Sequence, residues 1–127
     1  MKKRRILIVD DDRTVLSIIT DLLRQKGYDV FGAATIAEAM ALFEKHREEI
    51  ALAMIDIVLD NENGFDLANA LEKEFDFNRF VFFTAYFWQE TIMEELKRRE
   101  AVFFEKPLKF QKEVLPFLSD FFGNKEE

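Results

Sequence analysis

The sequence contains no cysteine, which excludes disulfides and thiolate metal sites and fits a cytoplasmic location. Glycine and proline are scarce, four and two among 127 residues, and no stretch is rich in serine, glutamine or proline. Internal linkers and disordered segments are therefore not expected, and no repeat of solenoid period is found. Basic residues are in the minority, 18 Lys and Arg against 25 Asp and Glu, for a net charge of −7. A nucleic-acid surface needs clustered cations to displace counterions from phosphates, so direct nucleic-acid binding is not expected. No run approaches the ~20 apolar residues of a membrane span, so membrane insertion is not expected either. The basic start, Lys2-Lys3-Arg4-Arg5, precedes only the short apolar run Ile6 to Val9 and then three aspartates. It reads as the solvated start of a strand rather than as a leader.

What is present is apolar material in short blocks. Hydrophobic residues make up 49% of the chain, enough for one domain that hides roughly two-thirds of its unfolded surface. We expect a single domain over 1–127, with a core at about 3–122 and a polar tail, Gly123-Asn-Lys-Glu-Glu127. Ile6 to Val9, Ala51 to Ile55, Phe80 to Phe83 and Ala101 to Phe104 are continuous apolar runs, the pattern of parallel strands covered on both faces. Tyr28 to Phe31 is a weaker strand after the helix-stopping Gly27. Between the runs lie helices. Val15, Ile18, Ile19, Leu22 and Leu23 share one face. Thr35-Ile36-Ala37-Glu38 is a capping box that opens a second helix carrying Met40 and Phe43. Gly64 opens a third with Leu67, Ala68, Leu71 and Phe75. A fourth, thinly apolar, runs around Thr91 to Arg99 with Ile92 and Leu96 as anchors. The fifth, from about Phe110 to Phe122, contains Pro116, so it is expected to start late or bend. Five β-α units imply an α/β fold, a five-stranded parallel sheet with helices on both faces.

Polar residues stand at the carboxyl ends of nearly all these strands: Asp10, Asp11 and Asp12, then Asp56, Thr84 and Lys106. In open α/β sheets that edge is where ligands bind. Carboxylates crowded together repel, and a hard divalent cation with oxygen ligands is the natural counterion. Beside such a cation a carboxylate can serve as nucleophile toward a phosphoryl group, with a lysine and a threonine to receive the other oxygens. Ala85, after Thr84, is small enough to leave the acceptor approachable.

Ile6-Leu-Ile-Val-Asp-Asp-Asp12, Asp56 with Gly64 eight positions beyond it, Phe83-Thr-Ala85 and Glu105-Lys-Pro107 together resemble the receiver domains of bacterial two-component response regulators, the CheY-like family. The resemblance runs from about Lys3 to Phe122. It implies the flavodoxin-like, doubly wound sheet of order 2-1-3-4-5. It also implies a phosphoacceptor rather than an enzyme acting on other substrates: the domain catalyses only its own phosphorylation and dephosphorylation. Asp56 is the implied phosphoacceptor. Asp11 is the implied direct ligand of Mg²⁺ (or Mn²⁺), with Asp10 acting largely through water and the Val58 backbone carbonyl as a further ligand. Thr84 would swing toward the phosphoryl group and Lys106 would pair with it. The implied donor is a sensor histidine kinase or a phosphotransfer protein. The implied output face is the fourth helix, fifth strand and fifth helix, which also serves homodimers. No output segment follows the last helix, so the signal is expected to pass to a partner, unless the chain is part of something larger.

Several residues depart from the family pattern. Asp60 stands where a proline is usual and should loosen an already acidic loop. Phe103 occupies the position of a switching Tyr, leaving a ring that can rotate but has no hydroxyl. Glu100 replaces a usual glycine. Val58 and Tyr86 flank the path of water and are expected to slow loss of the phosphoryl group. Asp12 reads as a loop or helix-capping residue, and the only histidine, His46, as a solvated helix residue. Phe80, Phe82 and Phe83 read as core. Phe87, Trp88, Phe117, Phe121 and Phe122 are open between core packing and an exposed partner patch. Two other readings compete. One is a receiver-like binding module that no longer takes phosphate, for which Asp60 and Phe103 speak. The other is a phosphatase resembling the haloacid dehalogenases, with Asp10 as nucleophile and Asp12 as acid; it lacks that family's later acidic motif.

Overall fold

The computed structural model describes residues 5–123. Five strands form one sheet: β1 (Arg5–Val9), β2 (Asp29–Ala33), β3 (Ile50–Asp56), β4 (Phe80–Thr84) and β5 (Val102–Glu105). All pairings within it are parallel, and the spatial order is β2-β1-β3-β4-β5. Five helices alternate with the strands: α1 (Arg13–Gln25), α2 (Ile36–His46), α3 (Gly64–Phe75), α4 (Glu90–Arg99) and α5 (Leu115–Phe122). The expected flavodoxin-like arrangement is therefore present. Lys2, Lys3 and Arg4, and the polar tail beyond Gly123, lie outside the described residues. Among those described, no helix is long and apolar enough to cross a membrane.

The continuous apolar runs have a simple origin. Successive side chains of a strand point to opposite faces, so a strand covered on both sides needs apolar residues at every position. Leu7, Val9, Ala53, Ile55 and Phe82 face the core under α2, α3 and α4. Ile6, Ile8, Leu52, Met54, Val81 and Phe83 face the core under α1 and α5.

Three boundaries differ from expectation. Tyr28 belongs to the turn, its N–H bonding the Leu23 carbonyl behind Gly27 at φ +92°, and β2 continues to Ala33 because Val9 pairs with it. Sheet pairing outweighs the weak strand preference of Gly32 and Ala33. The fifth helix is split into a π-helical turn over Phe110–Val114 and α5, with Pro116 in the first turn of α5. A proline ring clashes with the carbonyl four residues back, and the wider turn accommodates it. The acidic loop after Asp56 carries regular structure that the sequence did not suggest. Val58 pairs with Asn63 and Leu59 with Glu62 in a short antiparallel hairpin, and Leu59 is buried.

Candidate functional site

The site lies at the carboxyl edge of β1, β3 and β4. Crossovers run to opposite sides of the sheet from β1 and β3, so the chain leaves a crevice between their ends. Asp10, just beyond β1, and Asp56, the last residue of β3, are both buried, as is Thr84 at the end of β4. Lys106 follows β5, and its N–H is bonded to the Thr84 carbonyl at 2.9 Å, which aims its side chain back over the crevice. Lys106 Nζ donates to Asp56 Oδ2 at 2.7 Å and lies 3.1 Å from Asp10 Oδ2. The structure thus brings Asp10, Asp11, Asp56 and Lys106 together, four of the six strand-end candidates; Thr84 is buried at the end of neighbouring β4, and Asp12 caps α1.

Asp10 and Asp56 each have one oxygen held by the backbone. The Asp12 N–H donates to Asp10 Oδ1 at 2.9 Å, and the Val58 N–H donates to Asp56 Oδ1 at 3.1 Å. Asp10 Oδ2 is buried without a hydrogen bond: Lys106 reaches ion-pair distance but not hydrogen-bond alignment. A buried oxygen left in that state is costly unless something further satisfies it. Burial pushes the Asp56 carboxyl up to about 6 from its ordinary 3.8, against the pull of Lys106 and with added repulsion from Asp10. Burial also works against the Lys106 ammonium, but Asp56 and Asp10 outweigh it and hold its pKa above the usual lysine range.

These observations fit a divalent cation. Oxygen atoms of Asp10, Asp11 and Asp56 lie within 4.8 Å of one another. Three carboxylates against one ammonium leave two negative charges in surplus, and every donor is a hard oxygen, the set suited to Mg²⁺. Asp10 Oδ2, buried and met only by the Lys106 ammonium at ion-pair distance, is an oxygen that a cation would satisfy.

The neighbouring residues explain how this crevice is held. A Cβ at Gly64 would stand 2.3 Å from the Asp56 carbonyl oxygen, so only glycine lets α3 begin this close to the acceptor strand. Asn63 caps α3 by accepting from the Phe65 N–H, while Glu62 Oε1 accepts from the Ile36 N–H at 2.9 Å, tying the hairpin to the first turn of α2. Nothing in the sequence pattern singled out Glu62. Asp12 accepts from the N–H groups of Thr14 and Val15 as the N-cap of α1. A carboxylate committed to that cap is not placed as the acid of a dehalogenase-type phosphatase. The capping box at Thr35 is present in altered form, since Glu38 reaches back to the Ala34 N–H rather than to that of Thr35.

Around the mouth, Val58, Tyr86 and Trp88 are exposed, and Thr84 Oγ1 accepts from the Tyr86 N–H at 2.9 Å. Phe103 is half-buried, lies opposite Phe82 in the ladder and packs on the α3–α4 side of the core. Glu100 adopts a left-handed conformation, φ 51° and ψ 45°, which accounts for glycine being usual there. His46 is not fully solvated: its ring lies 4.4 Å from that of Phe31, beside Glu49. Phe82 and Phe83 are fully buried and Phe80 half-buried. Phe87, Phe117 and Phe122 are half-buried, leaving Trp88 and Phe121 as the exposed members of that set. An apolar groove of about 520 Å³, lined by Val15, Ile18 and Leu22 of α1 with Pro107 and Leu108, opens beside Lys106.

Comparison with known proteins agrees with this geometry. Residues 6–115 match the family described as the response regulator receiver domain. The heme response regulator HssR of Staphylococcus aureus is 37% identical over 70 residues, 55% of this chain and 30% of that protein. The putative two-component response regulator ARR20 of Arabidopsis thaliana is 32% identical over 117 residues, 92% of this chain and 26% of that protein. The chain thus spans less than a third of the length of these curated relatives. Among solved structures, the non-phosphorylated HemR receiver domain of Leptospira biflexa superimposes with a TM-score of 0.81 at 31% identity, covering 98% of both chains.

Proposed function

The chain belongs to the response regulator receiver domain family, and from that membership we propose that Asp56 accepts a phosphoryl group and that its occupancy switches a partner-binding face. The observation that carries this reading is the crevice in which Lys106 meets the buried carboxylates of Asp10 and Asp56, with Thr84 buried at the end of the neighbouring strand. Asp10, Asp11 and Asp56, with the Val58 carbonyl, would hold Mg²⁺ or Mn²⁺. When bound, the cation supplies charge neutralisation between the acceptor carboxylate and the incoming phosphoryl oxygens. The chain's own groups do the rest. The Val58 N–H fixes Asp56 Oδ1, so the carboxylate presents a constant direction of attack. An oxygen of Asp56 bonds to phosphorus as the bond from phosphorus to the donor's imidazole nitrogen breaks, that nitrogen keeping the electron pair. Lys106, already 2.7 Å from Asp56, pairs with a phosphoryl oxygen, and Thr84 donates its hydroxyl to another. Tyr86 and Val58 at the rim restrict the approach of water to the acyl phosphate.

A histidine kinase or phosphotransfer protein must bring its histidine to this edge, and the apolar groove along α1 borders the approach beside Lys106. Readout falls to Phe103 and the face formed by α4, β5 and α5, on which an output partner or a second copy of the chain would bind. A chain without cysteine needs no oxidising compartment, and a cytoplasmic setting fits. Incubation with acetyl phosphate and Mg²⁺, followed by peptide mapping in a mass spectrometer, tests the assignment. One phosphoryl adduct on Asp56 is expected, and none in Asp56→Asn. An adduct on Asp10, or an unmodified parent, would refute it; the second result would favour the phosphate-independent binding module.

A further inference from the structure

Helix α4 is poorly anchored by apolar contact, since only Ile92 and Leu96 are buried. What holds it in addition is its last residue. The Arg99 side chain is 8% exposed, and its guanidinium bonds three partners. Nε donates to Glu95 Oε2 at 2.9 Å within α4; Nη1 donates to Glu72 Oε2 at 3.3 Å and Nη2 to Asn69 Oδ1, both on α3. Its Cζ lies 5.6 Å from the ring centres of Phe65 and Phe82, which themselves pack 5.0 Å apart. Phe82 stands two residues before Thr84 on β4 and opposite Phe103 on β5. The contact set therefore spans α3, α4 and the strand that leads into the site.

The chemistry makes this arrangement all-or-none. A guanidinium is rigid and always charged, and its fork of donors fits one geometry. If α4 shifts or rotates, Arg99 leaves Glu72, Asn69 and both rings together, and a charge that stays buried without them is strongly unfavourable. Glu95 is pulled below the usual carboxylate range by Arg98 first and by Arg99 as well, so it remains an anion available to the pair. Sliding by small increments is thus disfavoured relative to two discrete positions.

We propose that Arg99 is the latch that holds α4 in its resting position, and that its strength sets how readily occupancy of Asp56 shifts the output face. The inference rests on the receiver reading above. Its consequence follows from linkage: a ligand that favours the shifted state binds with an apparent affinity reduced by the small fraction of molecules in that state. Weakening the latch raises that fraction and tightens the ligand, although no substituted residue touches it.

The experiment titrates beryllofluoride, an acyl-phosphate mimic, at fixed Mg²⁺ and follows Trp88, the only tryptophan, which lies two residues before α4. Arg99→Met keeps most of the apolar stem and deletes the donors; the apparent Kd should fall about fivefold or more. Asn69→Ala with Glu72→Ala removes both α3 partners, which are exposed, without emptying the core and should shift Kd in the same direction. The Kd for Mg²⁺ alone should not change in either variant. A parent that responds while both variants bind beryllofluoride equally or more weakly overturns the latch. A parent without any response overturns the receiver reading, and the latch with it.

Discussion

Strands β3 and β5 belong to the same sheet but live in different surroundings. Every residue of β3 is buried, with a strand on each side and helices on both faces. Strand β5 is an edge, paired only with β4, and none of its four residues is fully buried. Asp56 ends the first strand, and the proposed readout lies on the second. The contrast teaches where each task can be placed. Holding several carboxylates together needs a frame that does not relax, which dense packing provides. A switch needs a segment with little apolar packing to break, which a half-covered edge and the thinly packed α4 provide, leaving Arg99 to set the cost of moving it.

The largest test of that contrast is a pair of truncations. Phe83→Ala, at a fully buried position in β4 facing α1 and α5, should lower unfolding free energy by about 3–5 kcal/mol in a urea titration. Phe121→Ala, on the more exposed side of α5, should lower it by less than about 1 kcal/mol. Equal losses would show that the sheet interior and the output face are packed alike.

A second test exploits the cost of the charged centre. Because the Asp56 carboxyl titrates at about 6 rather than 3.8, it binds its proton more tightly folded than unfolded. Its contribution to stability is therefore fully present below pH 3.8, declines as pH rises to about 6, and is flat above. The loss corresponds to roughly 3 kcal/mol. The raised pKa of Lys106 leaves it protonated throughout that window, so it adds no slope there. Without divalent cation at pH 7, Asp56→Asn should thus be more stable than the parent by about 2–3 kcal/mol, and the difference should vanish near pH 4. Added Mg²⁺ should narrow it by stabilising the parent through binding. Thermal melts across that pH range check the sign; an Asn variant less stable than the parent at pH 7 would contradict a strained, dense centre.

The smallest effect belongs to the edge. Glu100 sits at φ 51° in a region that favours glycine, at the junction of α4 and β5. Glu100→Gly should raise stability by about 1 kcal/mol, less whatever entropy the unfolded chain gains. A loss instead would mean that the Glu100 side chain contributes to the junction.

The site was more legible than the switch. Asp10, Asp11, Asp56, Thr84 and Lys106 could be read because a parallel sheet exposes one end of every strand at the same edge, so position along each apolar run already states location. Arg99 was read only as the end of the fourth helix, because its partners Asn69 and Glu72 lie 30 and 27 residues away on another element. Glu62 carried no such signal, since its partner at Ile36 lies 26 residues away on another element. The hairpin around Asp60 was not legible, because its acidic residues carry no alternating apolar pattern and only the burial of Leu59 fixes its register.

Periodicity and strand-end residues determined the α/β class, the order of elements and the identity of the acidic centre, because each depends on spacing along the chain alone. Tertiary structure decided which carboxylate oxygen stays unsatisfied, how far Asp56 is shifted, and that α4 hangs on a buried arginine. Those are properties of distance and desolvation between residues remote in sequence, and neither quantity exists until the chain has closed around them.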